Sequence, residues 1–293
     1  MQGMDNSATS IETDIPSEAR ISALIALLAD DDPEVGDTIL GHLRKAGDAA
    51  LPGLELALDD PNPTLSERAR SLLDEMHQDT VVEDIRQFAA SGAVNLEQGL
   101  LLVSRLNEPD LNTEAYSKRL SRMAEDLMIR LDPGDGVDAM LNTWSRYLFD
   151  EQGFSGNSDD YYNQDNSYLH TVLKHRRGIP ISLSSLYIIL AQRLGLPIHG
   201  VGMPGHFLVK FDDGREIRVI DPFHKGRVLD REGCSQLLRG LGLSFDDRYL
   251  EPVTTHYILE RTLKNLIGVY AEGNHPTLLA LHQRALDALN SGA

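Results

Sequence analysis

The stretch PGHFLVKFDDGREIRVIDPF, residues 204–223, constrains this chain more than any other. Two apolar, strand-like runs flank DDG at 212–214, a two-strand turn signal. The runs therefore pair as a hairpin. His206 opens the first strand and Asp221 closes the second, which sets the two side chains next to each other. A carboxylate in that place can orient an imidazole, and the pair amounts to two thirds of a nucleophile–His–Asp constellation.

Residues 176–197, RRGIPISLSSLYIILAQRLGLP, supply a helix ahead of that hairpin. Gly178 and Pro180 break the preceding pattern, and Pro suits a first helical turn because its missing N–H would have no partner there. Ser182 or Ser184 is a candidate cap. Leu186, Ile189, Leu190 and Leu194 then recur at helical spacing, and Gly195-Leu196-Pro197 ends the run, which predicts a helix over 182–194. A helix start, then a His-bearing strand, then an Asp-bearing strand is the order of a papain-like or transglutaminase-like site. In such sites the nucleophile lies at the helix N-terminus, where the dipole stabilises a thiolate.

The series FDEQGFSGNSDDYY at 149–162, the 166–197 stretch ending RRGIPISLSSLYIILAQRLGLP, GVGMPGHFLVKF at 200–211 and IDPF at 220–223 resembles the SirB-type bacterial family. The resemblance implies a transglutaminase-like core, with His206 and Asp221 at the family's histidine and aspartate positions. It also implies a cysteine about 15 residues before the Leu-Gly of the helix end, where this chain has Pro180. Proline carries no nucleophilic atom, so the acyl-transfer chemistry of active relatives does not carry over to this chain.

Other residues compete for the vacant role. Cys234, the single cysteine, follows both His206 and Asp221 and opens a helix, so it lies outside the motif and reads as a small buried apolar residue. Ser182 is two residues past the nucleophile position and Ser184 four past it. Each reads as a cap or a packing residue; the sharper reading makes Ser182 the nucleophile of a hydrolase with His206 as base and Asp221 as orienter. A His–Asp pair can equally tie two strands together without catalysing anything. Lys174, Arg176 and Arg177 form a basic cluster before the helix. They read as charge balance or, with Arg176 and Arg177 as binding candidates, as a grip on a carboxylate or peptide. His170 and His175 are five apart and lack a zinc motif; no metal and no cofactor is expected.

The 293 residues carry 45 Asp+Glu against 27 Lys+Arg, a net charge of −18, which argues against nucleic acid and anionic membranes as partners. No apolar run approaches the ~18 residues of a membrane span. One cysteine and a polar, acidic N-terminus without an apolar core point to a reducing, cytoplasmic setting. The acid excess is uneven: residues 1–79 hold 17 Asp+Glu and 5 Lys+Arg, a solvated helical surface or a docking face for a basic partner.

The same region repeats itself. ALIALLADDDPEV at 23–35 resembles GLELALDDPNPTL at 53–65 with an offset of 30, pairing Leu28 with Leu58, Asp30 with Asp60 and Pro33 with Pro63. The pattern resembles HEAT-type helical hairpins. Helical periodicity continues through 81–150, and 150–167 reads as a long loop anchored by Phe154, Tyr161 and Tyr162, with the two tyrosines as binding candidates. Residues 254–293 read as two helices resembling a tetratricopeptide-type hairpin.

The resulting fold class is α+β, predominantly helical. It has an acidic flexible tail at 1–15, HEAT-like hairpins at 16–79 and a helical part of the core at 80–160. A transglutaminase/papain-like core with a small antiparallel sheet follows at 161–252, and a helical hairpin at 253–293. Three function classes follow. One is a non-catalytic module that binds a protein or peptide. Another is a hydrolase or acyltransferase with a relocated nucleophile at Ser182. The last is a scaffold without a dedicated cleft. Pro180 favours the first over the second.

Overall fold

A computed structural model describes residues 17–292 of the chain, so the tail expected at 1–15 lies outside the described residues. The chain divides into two compact units, Met1–Asp79 and Thr80–Ala293.

In the first unit, helices α1 (Glu18–Ala26), α2 (Pro33–Ala46), α3 (Leu51–Ala57) and the start of α4 (Pro63–Ala90) enclose an aliphatic core. Ile21 and Ile25 on α1, and Ile39 and Leu43 on α2, stand one turn apart and are buried together with Leu28, Leu54 and Leu72. Each such side chain removed from water contributes on the order of 2 kcal/mol. Two helix starts 30 residues apart use similar caps. Asp30 accepts from the Asp32 N–H (2.9 Å) and Asp32 from the Glu34 N–H (2.9 Å), with Pro33 opening α2. Asp60 accepts from the Asn62 N–H (2.8 Å) and Asn62 from the Thr64 N–H (3.0 Å), with Pro63 opening α4. Part of the acid excess therefore caps helix N-termini, where negative charge is stabilising.

The second unit is built around α9 (Pro180–Leu194). Every residue from Pro180 to Ala191 is buried, so this part of the helix is enclosed on all sides, although the sequence stripe predicted one buried face. It begins at Pro180, two residues before the predicted start. Around it pack α5 (Leu96–Arg105), α6 (Thr113–Arg130), α8 (Leu169–His175), α11 (Thr255–Glu272) and the antiparallel sheet. Trp144 of α7 (Val137–Ser145) stacks on Tyr187 at 4.7 Å between ring centroids, and both are fully buried.

That sheet has the order β3 (Ile198–Val201), β4 (Leu208–Asp212), β5 (Ile217–Asp221), β6 (Arg227–Leu229). Alternation along β4 and β5 divides the side chains between two cores. Val209, Phe211 and Ile220 join the main one beside α9. Leu208 and Val219 join a smaller one with Leu229, Cys234 and Leu238, covered by α10 (Arg231–Arg239). The β4–β5 turn runs through 213–216, where Asp213 accepts from the N–H groups of Arg215 (2.9 Å) and Glu216 (2.7 Å) and Gly214 takes φ +82°.

The segment 150–167, expected as one long loop, is more ordered than that. It continues a π-helical turn at Arg146–Glu151, forms β1 (Ser155–Gly156) parallel to β2 (Arg177–Gly178), and closes with a 3-10 turn at Gln164–Asn166. The backbone donors of Ser155 and Asn157 find Arg176 O and Gly178 O at 2.9 Å each, a demand that side-chain periodicity does not reveal. At the C-terminal end, α11 packs on α12 (Pro276–Ser291), and both bury apolar residues in the main core.

Candidate functional site

Asp221 ends β5 and His206 lies two residues before β4, so the antiparallel register of β4 and β5 brings them together. Gly205, at φ +68°, makes the tight approach to His206; a Cβ there would sit 2.6 Å from Leu241. His206 Nε2 is 2.9 Å from Asp221 Oδ2. Asp221 is almost fully buried and His206 largely so. The other carboxylate oxygen, Oδ1, accepts from the N–H groups of Phe223 (3.1 Å) and His224 (3.3 Å), which winds residues 222–224 into a 3-10 turn. That turn carries the His224 ring back, and its Nδ1 lies 2.7 Å from Asp221 Oδ2. Burial pushes the Asp221 carboxyl up, but hydrogen bonds and charge from the two imidazoles outweigh it and hold the group below the usual carboxylate range.

His206 forms part of the wall of a cavity of about 160 Å³, together with Tyr161, Pro180, Ile181, Gly205 and Arg261, among others. The first turn of α9 is one wall. Its N-cap residue, Ile179, has no side-chain acceptor and Pro180 carries no N–H, so the Ile181 and Ser182 N–H groups are the first-turn donors without an intrahelical acceptor. Arg261 of α11 forms another. It donates through Nη2 to Met203 O (3.1 Å) and His206 O (2.7 Å), and its guanidinium lies over the Phe207 ring. Two of the lining rings, Tyr161 and His206, each meet Phe223 edge-on at 6.1 Å.

The cavity gathers His206, Pro180 and Tyr161 and leaves out several residues that sequence order places nearby. Ser182 is at the third position of α9 and turns back on the chain. Its hydroxyl donates to Asn166 O (2.6 Å) and accepts from the Ile179 N–H (3.0 Å). It forms no wall of the cavity, a correction to the expectation that it could converge with His206 and Asp221. Ser184 donates to Phe207 O at 3.2 Å. Arg176 and Arg177 do not line the cavity either. Arg176 ends α8 in a left-handed conformation (φ 59°), and its carbonyl and the following strand pair with β1. Tyr162 is exposed and touches Tyr161 edge-on at 5.4 Å. Cys234 lies buried in the smaller core, its thiol pushed up to about 11 by burial and by Asp230 and Asp221.

Three contributors escaped the sequence reading. His224 follows Asp221 by three residues in IDPFH, a spacing that means little until Asp221 itself winds the turn. Arg261 and Asn265 are four apart on α11, one face of one helix, and both reach the cavity. No sequence signal marks them, because Lys264 makes the same side of α11 mixed in character.

Residues 114–264 match the family profile described as the transglutaminase-like superfamily, about half of the chain. A UPF0162 protein of Xylella fastidiosa (strain 9a5c) is 42% identical over 182 residues, covering 59% of this chain and 64% of that protein. A UPF0162 protein of Vibrio cholerae is 29% identical over 149 residues, covering 50% and 55%. F-box only protein 21 of Homo sapiens is 36% identical over 138 residues, 44% of this chain and 22% of that protein. The matched stretch thus spans less than two thirds of each of these relatives. No solved structure matches the chain significantly. No described helix is long and apolar enough to cross a membrane.

Proposed function

The chain belongs to the transglutaminase-like superfamily, and from that premise we propose that its His206 cavity binds a protein or peptide segment without transforming it. The observation that carries this reading is the missing nucleophile. Pro180 forms the wall beside His206 at the start of α9, and the Ser182 hydroxyl is engaged by Asn166 and Ile179. A general base needs the proton it takes within ~3 Å. The alternative, a hydrolase or acyltransferase using Ser182, requires that hydroxyl to leave two partners and cross to His206. The same reading makes the protein a regulatory or interaction module of the bacterial cytoplasm.

The ligand's chemistry follows from the walls. Arg261 and the N-terminal end of α9 both favour negative charge, and the volume of about 160 Å³ suits one small group. A terminal carboxylate, or an acidic side chain of an extended segment, fits both.

Two measurements test this. Fluorescence polarisation with a peptide pool synthesised with free or amidated C-termini is expected to show at least tenfold preference for the free acids; equal binding overturns the carboxylate assignment. Pro180→Cys tests the position itself. Its thiol, at a helix N-terminus beside His206, is expected to react with iodoacetamide at least tenfold faster than Cys234. A slower reaction would move the family's nucleophile position away from 180. Turnover of a glutamine-donor or ester substrate by the wild-type chain would replace binding with catalysis.

A further inference from the structure

We infer that His206, Asp221 and His224 form a binding site for one divalent transition-metal ion, zinc being the best match. Three donor atoms, His206 Nε2, Asp221 Oδ2 and His224 Nδ1, lie within 4.8 Å of one another, the two nitrogens at 2.9 and 2.7 Å from the same carboxylate oxygen. Two imidazole nitrogens and one carboxylate oxygen suit a borderline ion such as Zn²⁺, whose bonds to them run about 2.0–2.2 Å. Without an ion the inward nitrogens donate to Asp221; a binding ion displaces those two protons, and each ring then ligates as a neutral imidazole protonated on its other nitrogen.

The surroundings match what ligation requires. The Asp221 carboxylate is fixed before any ion arrives, because Oδ1 is held by the N–H groups of Phe223 and His224 and Oδ2 alone faces the rings. Outer contacts of this kind orient ligands in metal sites. Arg261 anchors the backbone of His206 through its carbonyl. The site is closed on one side and open on the other: Asp221 is buried, whereas the His224 side chain is 56% exposed and gives an ion a route from solvent. Three protein ligands with a solvent-facing side leave room for water or a ligand atom, the arrangement of zinc sites that exchange a ligand. Local backbone supports the recoil of His224. Lys225 and Gly226 both take left-handed conformations (φ 58° and 74°), returning the chain to β6.

The inference does not depend on the peptide reading, since the probe is the metal alone. The full chain, stripped with a chelator, is titrated with Zn²⁺ by calorimetry. One equivalent is expected to bind, with His224→Ala and His206→Ala each weakening it at least tenfold and Ser182→Ala leaving it unchanged. His224 is exposed, so its removal spares the core, and circular dichroism of the variant checks this. Co²⁺ in place of Zn²⁺ is expected to give a visible absorption band that His224→Ala abolishes. Absence of stoichiometric binding, or equal binding by the wild type and His224→Ala, overturns the site and leaves a hydrogen-bonded His–Asp–His cluster. If zinc binds and the peptides do not, the metal site stands and the carboxylate reading falls; the reverse outcome separates them the other way.

Discussion

Two histidine-centred clusters in the second unit are wired in opposite ways. Near the C-terminus, His282 Nδ1 lies 2.7 Å from Leu278 O, and a carbonyl can only accept, so that nitrogen carries the proton. His282 Nε2 is then the acceptor for the Tyr168 hydroxyl (2.7 Å), whose oxygen in turn accepts from the Tyr270 hydroxyl (2.8 Å). Every proton of this trio has one destination, and all three side chains are buried. Burial pushes His282 down to about 4, against the opposing bond to Leu278, so it is neutral through the physiological range. At the other cluster, two imidazoles compete for one carboxylate oxygen and one of them is open to solvent. A fully assigned, dry network fixes helices in place. A shared acceptor with an open side leaves a choice to be made by a proton, an ion or a ligand. The difference lies in the backbone: His282 is mid-helix on α12, whereas His224 rides on a turn that its own acceptor winds.

Asp221→Ala is the harshest way to break the contrast. It removes the acceptor of both imidazoles and the cap of the 3-10 turn together, from a buried position. A loss of about 4 kcal/mol in urea unfolding is expected, the usual scale for removing one partner of a buried charged network. A loss below about 1 kcal/mol would mean that the carboxylate organises nothing.

The pH dependence of stability probes the closed cluster. The unfolded chain takes up a proton on His282 near 6.5, while the folded chain resists until about 4. The unfolded state therefore binds more protons across that window, and stability falls as pH drops from 6.5 to 4, by roughly 3 kcal/mol. Above 6.5 the term is fully present and constant. His170, also pushed down by burial, acts in the same direction, so the measurement is the difference between wild type and His282→Gln in thermal melts at pH 7 and 4.5. Parallel pH profiles for the two proteins would remove His282 from the account.

The smallest expected effect is that of Ser182→Ala, which sharpens the comparison by touching neither cluster. Loss of the bonds to Ile179 N–H and Asn166 O is expected to lower stability by about 1 kcal/mol. Peptide and zinc binding should not change. Altered binding would return Ser182 to the site.

The sequence made the His206–Asp221 pairing legible because a hairpin's register converts spacing into contact: once DDG is a turn, Asp221 falls at the strand end next to His206, which lies just ahead of β4. It left Ser182 open between a cap and a nucleophile, and the capping geometry has a reason internal to helices. A serine at the third position satisfies the N-cap backbone rather than pointing along the axis. It offered Arg176 and Arg177 as charge balance or as a grip ahead of the helix; adjacency in the chain does not bring them to the cavity, because a left-handed residue and a strand pair intervene. Arg261 and Asn265 come from a helix some 55 residues beyond His206 in the chain. Only packing reveals such partners, and no spacing rule reaches them.

The doubled helix start in the first unit bears on how the chain tolerates changes in length. Because Asp30-x-Asp32-Pro33 and Asp60-x-Asn62-Pro63 each carry their own cap, a whole 30-residue block is self-terminating at its joint. An insertion of that length brings a new cap and keeps Leu28-like positions in phase with the buried face. One of 29 or 31 whose missing or extra residue falls within a helix rotates the rest of that helix by about 100° and turns its buried face to water.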